Sequence, residues 1–334
     1  MSTIGILGAG TWGIALARML TLKGHAVTVW SALPAEIEAL SRTRTQPNLP
    51  GMVIPEGTAF TDSLEEVCKN RDLLLFVVPS VFVRATARQA APFIPEGQLI
   101  ADAAKGIEPD TLLSMTEVIR EEMRGKSVSL TALSGPTHAE EVARDLPTAI
   151  VSACEDLKCA ERVQELMMTP FFRVYTNPDI RGVELCGAVK NIIALAAGIS
   201  AGLGCGDNTR AALITRGMAE ITRLGLAMGC REQTFAGLAG IGDLIVTATS
   251  RHSRNNRCGE LIGKGVSPEE AVRQVGMVVE GINALPATMA LAEKHHVAMP
   301  ITRAVYAVIR EGQSPEQAVR DLMTRDRKSE LLNL

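Results

Sequence analysis

The sequence predicts an α/β chain in two parts, a mostly parallel sheet layered with helices followed by an all-helical remainder. Three observations carry this. An apolar run at the N-terminus stops at a glycine-spaced turn and resumes as helix-compatible sequence. Apolar runs of strand length recur as far as Tyr175. From about residue 180 the strand signals fade while helical periodicity persists.

The opening segment, Ile4-Gly5-Ile6-Leu7-Gly8-Ala9-Gly10-Thr11-Trp12-Gly13, reads as strand, tight turn and helix start. Gly8 supplies the positive φ of the turn, Gly10 lets a pyrophosphate approach the backbone, and Gly13 lets the helix lie close to the sheet. The helix, with Ile14, Leu16, Ala17, Leu20 and Leu22, ends at Lys23-Gly24-His25 and leads into a second strand, Ala26 to Trp30. That completes a βαβ unit with free N–H groups at the helix start, the anion-binding arrangement of a dinucleotide site. Ser31 to Asp62 holds four of the sixteen prolines and reads as a short helix near Ala35 to Ser41 followed by loops. Leu73 to Val78 is an unbroken apolar run of the kind buried on both faces of a sheet, and it stops at Pro79. Gln98 to Ala103 and Ser129 to Leu133 follow, with Pro136 expected to open a helix through Glu140, Glu141 and Val142. Thr148 to Ser152 and Phe172 to Tyr175 flank a helix near Ala160 to Met168. The division expected is residues 1–182, a Rossmann-like dinucleotide domain, and residues 183–334, a helical substrate domain with Gly-rich loops at Gly202 to Gly206, Gly237 to Gly242 and Gly263 to Gly265.

A chain of 334 residues exceeds the roughly 250 to 300 at which single cores stop growing, so two domains fit. A net charge of −3 with 3% aromatics lacks the basic surface and stacking rings of a nucleic-acid binder. The seven cysteines are scattered, with no CxxC pair and no histidine at zinc spacing, and read as free thiols of a reducing compartment; no metal site is expected. The N-terminal stretch lacks the basic start of a signal peptide. The most apolar later stretch, Ile192 to Cys205, contains three glycines and is shorter than the ~20 residues of a membrane span. A soluble, cytoplasmic protein without membrane insertion is expected.

Ligands of open parallel sheets gather beyond the carboxyl ends of the strands, where Pro79, Lys105 and Gly135 fall. In the helical part, Gly187, Lys190, Asn191 and Ala194 share a helix face amid Ala188, Val189, Ile192 and Ile193. Two readings of Lys190 stand side by side. Its stem packs on apolar surface while the ammonium reaches water, or the small neighbours leave a cavity where desolvation and a second cation tune it for proton transfer. Ser250-Arg251-His252-Ser253-Arg254-Asn255-Asn256-Arg257 sets three arginines at spacing three among hydroxyl and amide donors. It is a solvated helix end or a site for a small dianion, whose oxygens match the guanidinium fork. Cys205 and Cys258 lie near glycine turns and read as packed thiols rather than nucleophiles. His295 and His296 receive no role.

Together these segments resemble the bacterial type of NAD(P)-dependent glycerol-3-phosphate dehydrogenase. The motifs stand as Gly8 to Gly13, Val78-Pro79-Ser80, Ala104-Lys105-Gly106-Ile107-Glu108 and Leu133 to Ala139. They continue as Gly187-Ala188-Val189-Lys190-Asn191, Gly240-Ile241-Gly242-Asp243-Leu244, Ser253-Arg254-Asn255 and Val279-Glu280-Gly281. The resemblance implies a C-terminal domain like that of 6-phosphogluconate dehydrogenase. It also implies reversible hydride transfer between NADP(H) or NAD(H) and C2 of dihydroxyacetone phosphate or sn-glycerol 3-phosphate, a homodimer, and supply of glycerol phosphate for phospholipid synthesis. It makes Lys190 the general acid/base and puts Lys105 on substrate and cofactor. Gly135, Thr137, Asp243, Ser253, Arg254 and Asn255 line the substrate site. Thr11, Trp12, Ala139, Arg254, Val278 and Glu280 join Gly8, Gly10 and Gly13 around the cofactor. One departure concerns cofactor choice. The second strand ends in Ser31-Ala32, with neither an acid to repel a 2′-phosphate nor an adjacent arginine to attract it, while Arg42 and Arg44 lie downstream. The expectation leans to NADP(H), with NAD(H) also used. The competing readings are a related β-hydroxyacid dehydrogenase or ketopantoate-type reductase, whose substrates carry a carboxylate in place of phosphate, and a non-catalytic sensor of nicotinamide redox state. The presence of both lysines favours catalysis.

Overall fold

A computed structural model describes residues 1–327 together with 329 and 330. The chain divides into two compact units. The first combines Met1–Lys105 with Leu113–Glu184, and the second takes Gly106–Leu112 and the chain from Leu185 onward.

The first unit is an eight-stranded sheet: β1 (Thr3–Leu7), β2 (Ala26–Trp30), β3 (Thr58–Thr61), β4 (Leu73–Phe76), β5 (Leu99–Asp102), β6 (Ser129–Ser134), β7 (Thr148–Ala153) and β8 (Phe172–Asn177). Its order is β3-β2-β1-β4-β5-β6-β7-β8. Neighbours from β3 to β6 run parallel, β7 is antiparallel to β6, and β8 is parallel to β7. The order reverses at β1, so the turn after β1 opens at the switch point between β1 and β4, where such sheets take ligands. Alternating side chains divide between two cores. Ile4, Ile6, Leu73 and Leu75 pack on one face with Ile14, Leu16 and Leu20 of the helix Thr11–Leu22. Leu7, Leu74 and Phe76 pack on the other with Val83, Val118 and Ile119.

Two local expectations are corrected here. Thr58–Thr61 is not loop but an edge strand paired to β2 from Val27↔Thr58 to Trp30↔Thr61. Its four residues carry one large apolar side chain, Phe60, too little for a periodic signal. Pro136 does not open the helix after β6, which starts at Ala139 and runs only to Val142.

The second unit is built around the helix Ile180–Gly202, which begins in the first unit and is buried without a break from Gly182 to Ser200. A helix apolar on all sides is a core helix. At 23 residues it is long enough to cross a bilayer, which corrects the shorter apolar stretch read from sequence, yet its most apolar window is 89% buried inside the protein. Around it pack Asp207–Ala227, Asp243–Thr249, Arg254–Gly263, Glu280–Lys294 and Pro300–Arg310, with Leu195, Ile221, Leu244, Cys258, Leu285 and Val305 in one core.

Candidate active site

Gly8 has a φ of +125°, and a Cβ there would lie 2.8 Å from the Val77 carbonyl, so side chains are excluded by torsion and by space. A Cβ on Gly13 would stand 2.0 Å from the Gly8 carbonyl oxygen, which fixes how closely helix and turn approach. Gly10 differs: nothing lies within 4 Å of a Cβ built on it. It caps the helix Thr11–Leu22 without a side-chain hydrogen bond, so the cap itself offers the first N–H groups no acceptor. The buried Thr11 Oγ1 has no hydrogen-bond partner among the described residues. An exposed backbone, uncapped N–H donors and an orphaned hydroxyl together fit the pyrophosphate of a dinucleotide. Trp12 packs beside Phe172, ring centroids 6.5 Å apart. Ala139, also expected at the cofactor, is buried at the start of the helix Ala139–Val142.

Beyond β5 and β6 a second group converges. Lys105 Nζ donates to the Gly135 carbonyl at 3.1 Å, and Thr137 Oγ1 donates to the same oxygen at 3.2 Å. Gly135 has a φ of +153°, and a Cβ would come 3.1 Å from Ile150 Cα, so glycine holds β6 against β7 there. Asp102 ends β5 fully buried, with Oδ1 accepting from the Ala104 N–H at 3.2 Å. Desolvation, reinforced by the charge of Glu184, raises its carboxyl well above the ordinary range.

In the second unit Lys190 is 4% exposed. Its ammonium donates to Asp243 Oδ1 at 2.7 Å and Thr247 Oγ1 at 2.6 Å. The carboxylate of Asp243 against this buried ammonium favours the protonated amine. Local winding brings the three together. The segment Gly237 to Gly242, expected as loop, coils through a wide π-type turn, Leu238–Gly242, with Gly240 at φ −90° and ψ −105°. A Cβ on Gly240 would lie 2.1 Å from the Phe235 carbonyl oxygen. That turn delivers Asp243 as the first residue of the next helix, where a carboxylate suits the dipole, and Thr247 follows one turn later, donating to the Asp243 carbonyl at 2.7 Å.

A polar chain extends from the same helix face. Asn191 Oδ1 accepts from Asn255 Nδ2 at 2.9 Å, and Asn255 Oδ1 accepts from the Gly281 N–H at 2.8 Å. Ser253 caps the helix Arg254–Gly263, its Oγ accepting from the Asn256 N–H at 3.2 Å, which leaves Arg254 exposed on the first turn. Four glycines set this helix against Ile180–Gly202. A Cβ on Gly198 would meet the Asn256 carbonyl oxygen at 2.1 Å, and on Gly202 the Glu260 oxygen at 2.3 Å. On Gly259 it would meet the Leu195 oxygen and on Gly263 the Ile199 oxygen, each at 2.2 Å. Backbone-to-backbone contact of this kind fixes where Ser253, Arg254 and Asn255 stand relative to Lys190. Arg251 and Arg257 are exposed, Val278 is half-buried, and Glu280 opens the helix Glu280–Lys294. The Cys258 thiol is buried and its pKa pushed up to about 11 by desolvation, as expected of a packed thiol.

The predicted residues thus form two sets, Gly8 to Gly13 with Lys105, Gly135, Thr137 and Ala139 in the first unit, and Lys190, Asp243, Ser253, Arg254, Asn255, Val278 and Glu280 in the second. Sequence reasoning missed Thr247, the cross-link through Asn191, and the glycine seam. Only the seam left a signal, glycines four apart at 198/202 and 259/263. It also read the end of β2 as lacking an acid. Ser31 Oγ donates to Glu36 Oε2 at 2.5 Å, bringing a carboxylate to that strand end from the following helix. A cavity of about 540 Å³ in the second unit, lined by Ile199, Leu213, Ile301 and Val308 among others, takes in none of these site residues.

Residues 3–160 match the family model described as NAD-dependent glycerol-3-phosphate dehydrogenase N-terminus, and residues 179–320 match the corresponding C-terminus. The chain is 64% identical over 335 residues to a Lactobacillus delbrueckii subsp. bulgaricus protein named glycerol-3-phosphate dehydrogenase [NAD(P)+] 2, covering 99% of each. It is 51% identical to a glycerol-3-phosphate dehydrogenase [NAD(P)+] of Agathobacter rectalis, covering 99% of this chain and 98% of the relative. Among solved structures, glycerol-3-phosphate dehydrogenase from Coxiella burnetii superposes with a TM-score of 0.93 at 39% identity, covering 97% of this chain and 99% of that one.

Proposed function

Because the chain belongs to the NAD-dependent glycerol-3-phosphate dehydrogenase family, we propose that it interconverts dihydroxyacetone phosphate and sn-glycerol 3-phosphate with Lys190 as the proton donor and acceptor. The observation carrying the mechanism is the buried ammonium of Lys190, held between Asp243 and Thr247.

The nicotinamide cofactor, when bound, supplies or receives the hydride at C2. Gly8, Gly10, Gly13 and the N–H groups of Thr11 and Trp12 hold its pyrophosphate, with Thr11 Oγ1 a further donor. Of the other residues the family likeness implies for the cofactor, Ala139 lies in the first unit and Val278, Glu280 and Arg254 in the second. As C2 of the ketone is reduced, negative charge develops on its oxygen. A lysine already desolvated and oriented stabilises that charge without reorganising, and passes its proton as the alkoxide forms. Asp243 keeps Lys190 protonated for this step and accepts the orienting hydrogen bond, and Thr247 fixes the direction of the amine. In the reverse direction the neutral amine takes the hydroxyl proton. Lys105, which shares the Gly135 carbonyl with Thr137, is in this reading a further cation for substrate and cofactor. Ser253, Asn255 and the exposed Arg254 hold the phosphate, which fixes the carbonyl by remote binding.

Lys190→Ala tests the assignment. Turnover should fall on the order of 10²- to 10⁴-fold, while NADH and NADPH still bind within about threefold of the parent; unchanged turnover removes the mechanism. Preference for ketopantoate over dihydroxyacetone phosphate in steady-state assays would overturn the substrate. The same proposal includes cytoplasmic residence, supply of glycerol phosphate to phospholipid synthesis, and a homodimer, which sedimentation of the purified protein checks.

A further inference from the structure

The end of β2 carries a carboxylate that no strand-end motif announces. β1 and β2 are in register up to Leu7↔Trp30, and the Gly8 N–H donates to the Trp30 carbonyl at 2.9 Å, so the strand end is tied directly to the phosphate-binding turn. The next residue, Ser31, is buried. Its Oγ accepts from the Leu33 N–H at 3.2 Å and donates to Glu36 Oε2 at 2.5 Å. Glu36 lies in the first turn of the helix Pro34–Thr43, partly exposed, so the bond to Ser31 holds its carboxylate back against the strand end instead of leaving it free in water. In sheets of this order the group beyond the second strand meets the adenosine ribose, and an acid there accepts from its hydroxyls and repels a 2′-phosphate.

Of the two arginines downstream of Ser31, one is engaged at another strand and the other stands further along the helix. Arg44 donates through Nη1 to the Thr58 carbonyl at 2.7 Å and lies over the Phe60 ring, 5.2 Å from its centroid, which commits it to the β3 edge. Arg42 is exposed in the last turn of the helix, six residues beyond Glu36 or roughly 9 Å along the axis at 1.5 Å per residue.

We propose that Glu36, positioned by Ser31, sets cofactor choice in favour of NAD(H) by accepting from the ribose hydroxyl and excluding the 2′-phosphate. This reverses the lean toward NADP(H) drawn from the bare Ser31-Ala32 dipeptide. It rests on the cofactor use of the family and not on the lysine chemistry. The test therefore uses binding without substrate: fluorescence titration of the full chain with NADH and with NADPH, for the parent, Glu36→Gln and Ser31→Ala. The parent should bind NADH at least tenfold more tightly than NADPH. Glu36→Gln should bring the two within about threefold of each other, chiefly by tightening NADPH. Ser31→Ala, which releases the carboxylate but keeps its charge, should narrow the ratio by a smaller factor. A parent that binds NADPH as tightly as NADH, or a ratio that Glu36→Gln leaves unmoved, overturns the proposal. Failure of Lys190 as the proton donor would appear in turnover and leave these ratios as they are.

Discussion

Lys190 and Asp243 divide the burden of a buried charge. An ammonium at 4% exposure is tolerable only because a carboxylate and a hydroxyl replace its water, and removing either partner strands the other. Asp243→Asn should keep an oxygen acceptor for Lys190 while removing the anion that, in the proposed mechanism, favours its protonated form. Its kcat should fall about tenfold or more, and the pH profile for ketone reduction should lose activity at a lower pH than the parent, since an amine without its anion gives up its proton sooner. An unshifted profile contradicts the role of Asp243 as the anion that tunes the lysine. Arg254 is exposed, and if it holds the substrate phosphate as proposed, Arg254→Ala should raise the KM for dihydroxyacetone phosphate about tenfold or more with a smaller change in kcat; a pure kcat effect contradicts a phosphate-holding role.

Whole elements are placed by backbone contacts that leave no room for a methyl group. Gly259→Ala would set a Cβ 2.2 Å from the Leu195 carbonyl oxygen and 2.8 Å from the Ile199 nitrogen, so the helices Ile180–Gly202 and Arg254–Gly263 must separate. We expect a cost of about 1 to 3 kcal/mol, seen as a lower Tm, together with a raised KM for the phosphate substrate as Ser253 and Arg254 shift relative to Lys190. Unchanged Tm and KM would mean that the seam is not what locates them. At this scale legibility was uneven. β1, β2 and β4 were readable because strands buried on both faces leave continuous apolar runs, and the first turn because glycine is demanded by torsion at Gly8 and by space at Gly13. β3 was not, since an edge strand is held by one ladder and needs little side-chain burial. Asp243 and Lys190 were each visible, but their pairing across 53 residues depends on the π-type turn at Gly240, whose geometry has no local signature. Glu36 was hidden for a related reason. A strand-end acid is sought at the strand end, and here a serine stands there and borrows the charge from one helical turn further on.

At the scale of the whole molecule, buried carboxylates pull the pH dependence of stability in two directions. Glu122, gripped by Arg88 at 2.9 and 3.0 Å and by Arg84 at 2.7 Å, has its pKa lowered to about 2. Against an unfolded value of roughly 4.3, the stability it contributes is present above that pH and is lost as pH falls toward 2. Asp102, Glu184 and Glu220 are raised instead, each chiefly by burial, so the native state holds protons that the unfolded chain has released. Their contribution falls as pH climbs from about 4 through the folded values. Asp102→Asn, which keeps Oδ1 as acceptor for the Ala104 N–H, should therefore shrink the drop in Tm between pH 5 and pH 8; a drop as large as the parent's shows that Asp102 does not titrate with folding.

The assignment of Gly106–Leu112 to the second unit bears on how the chain is made. Ile107 belongs to the helical core, yet it leaves the ribosome more than seventy residues before Leu185 does. At roughly 5 to 20 residues per second the interval is about 4 to 15 s. During it Ile107, in a segment that also carries Glu108, Pro109 and Asp110, has no core to enter, because its destination has not been synthesised. A fragment starting at Leu185 would lack that segment, so the helical half also needs a piece of chain made before the last three strands of the sheet.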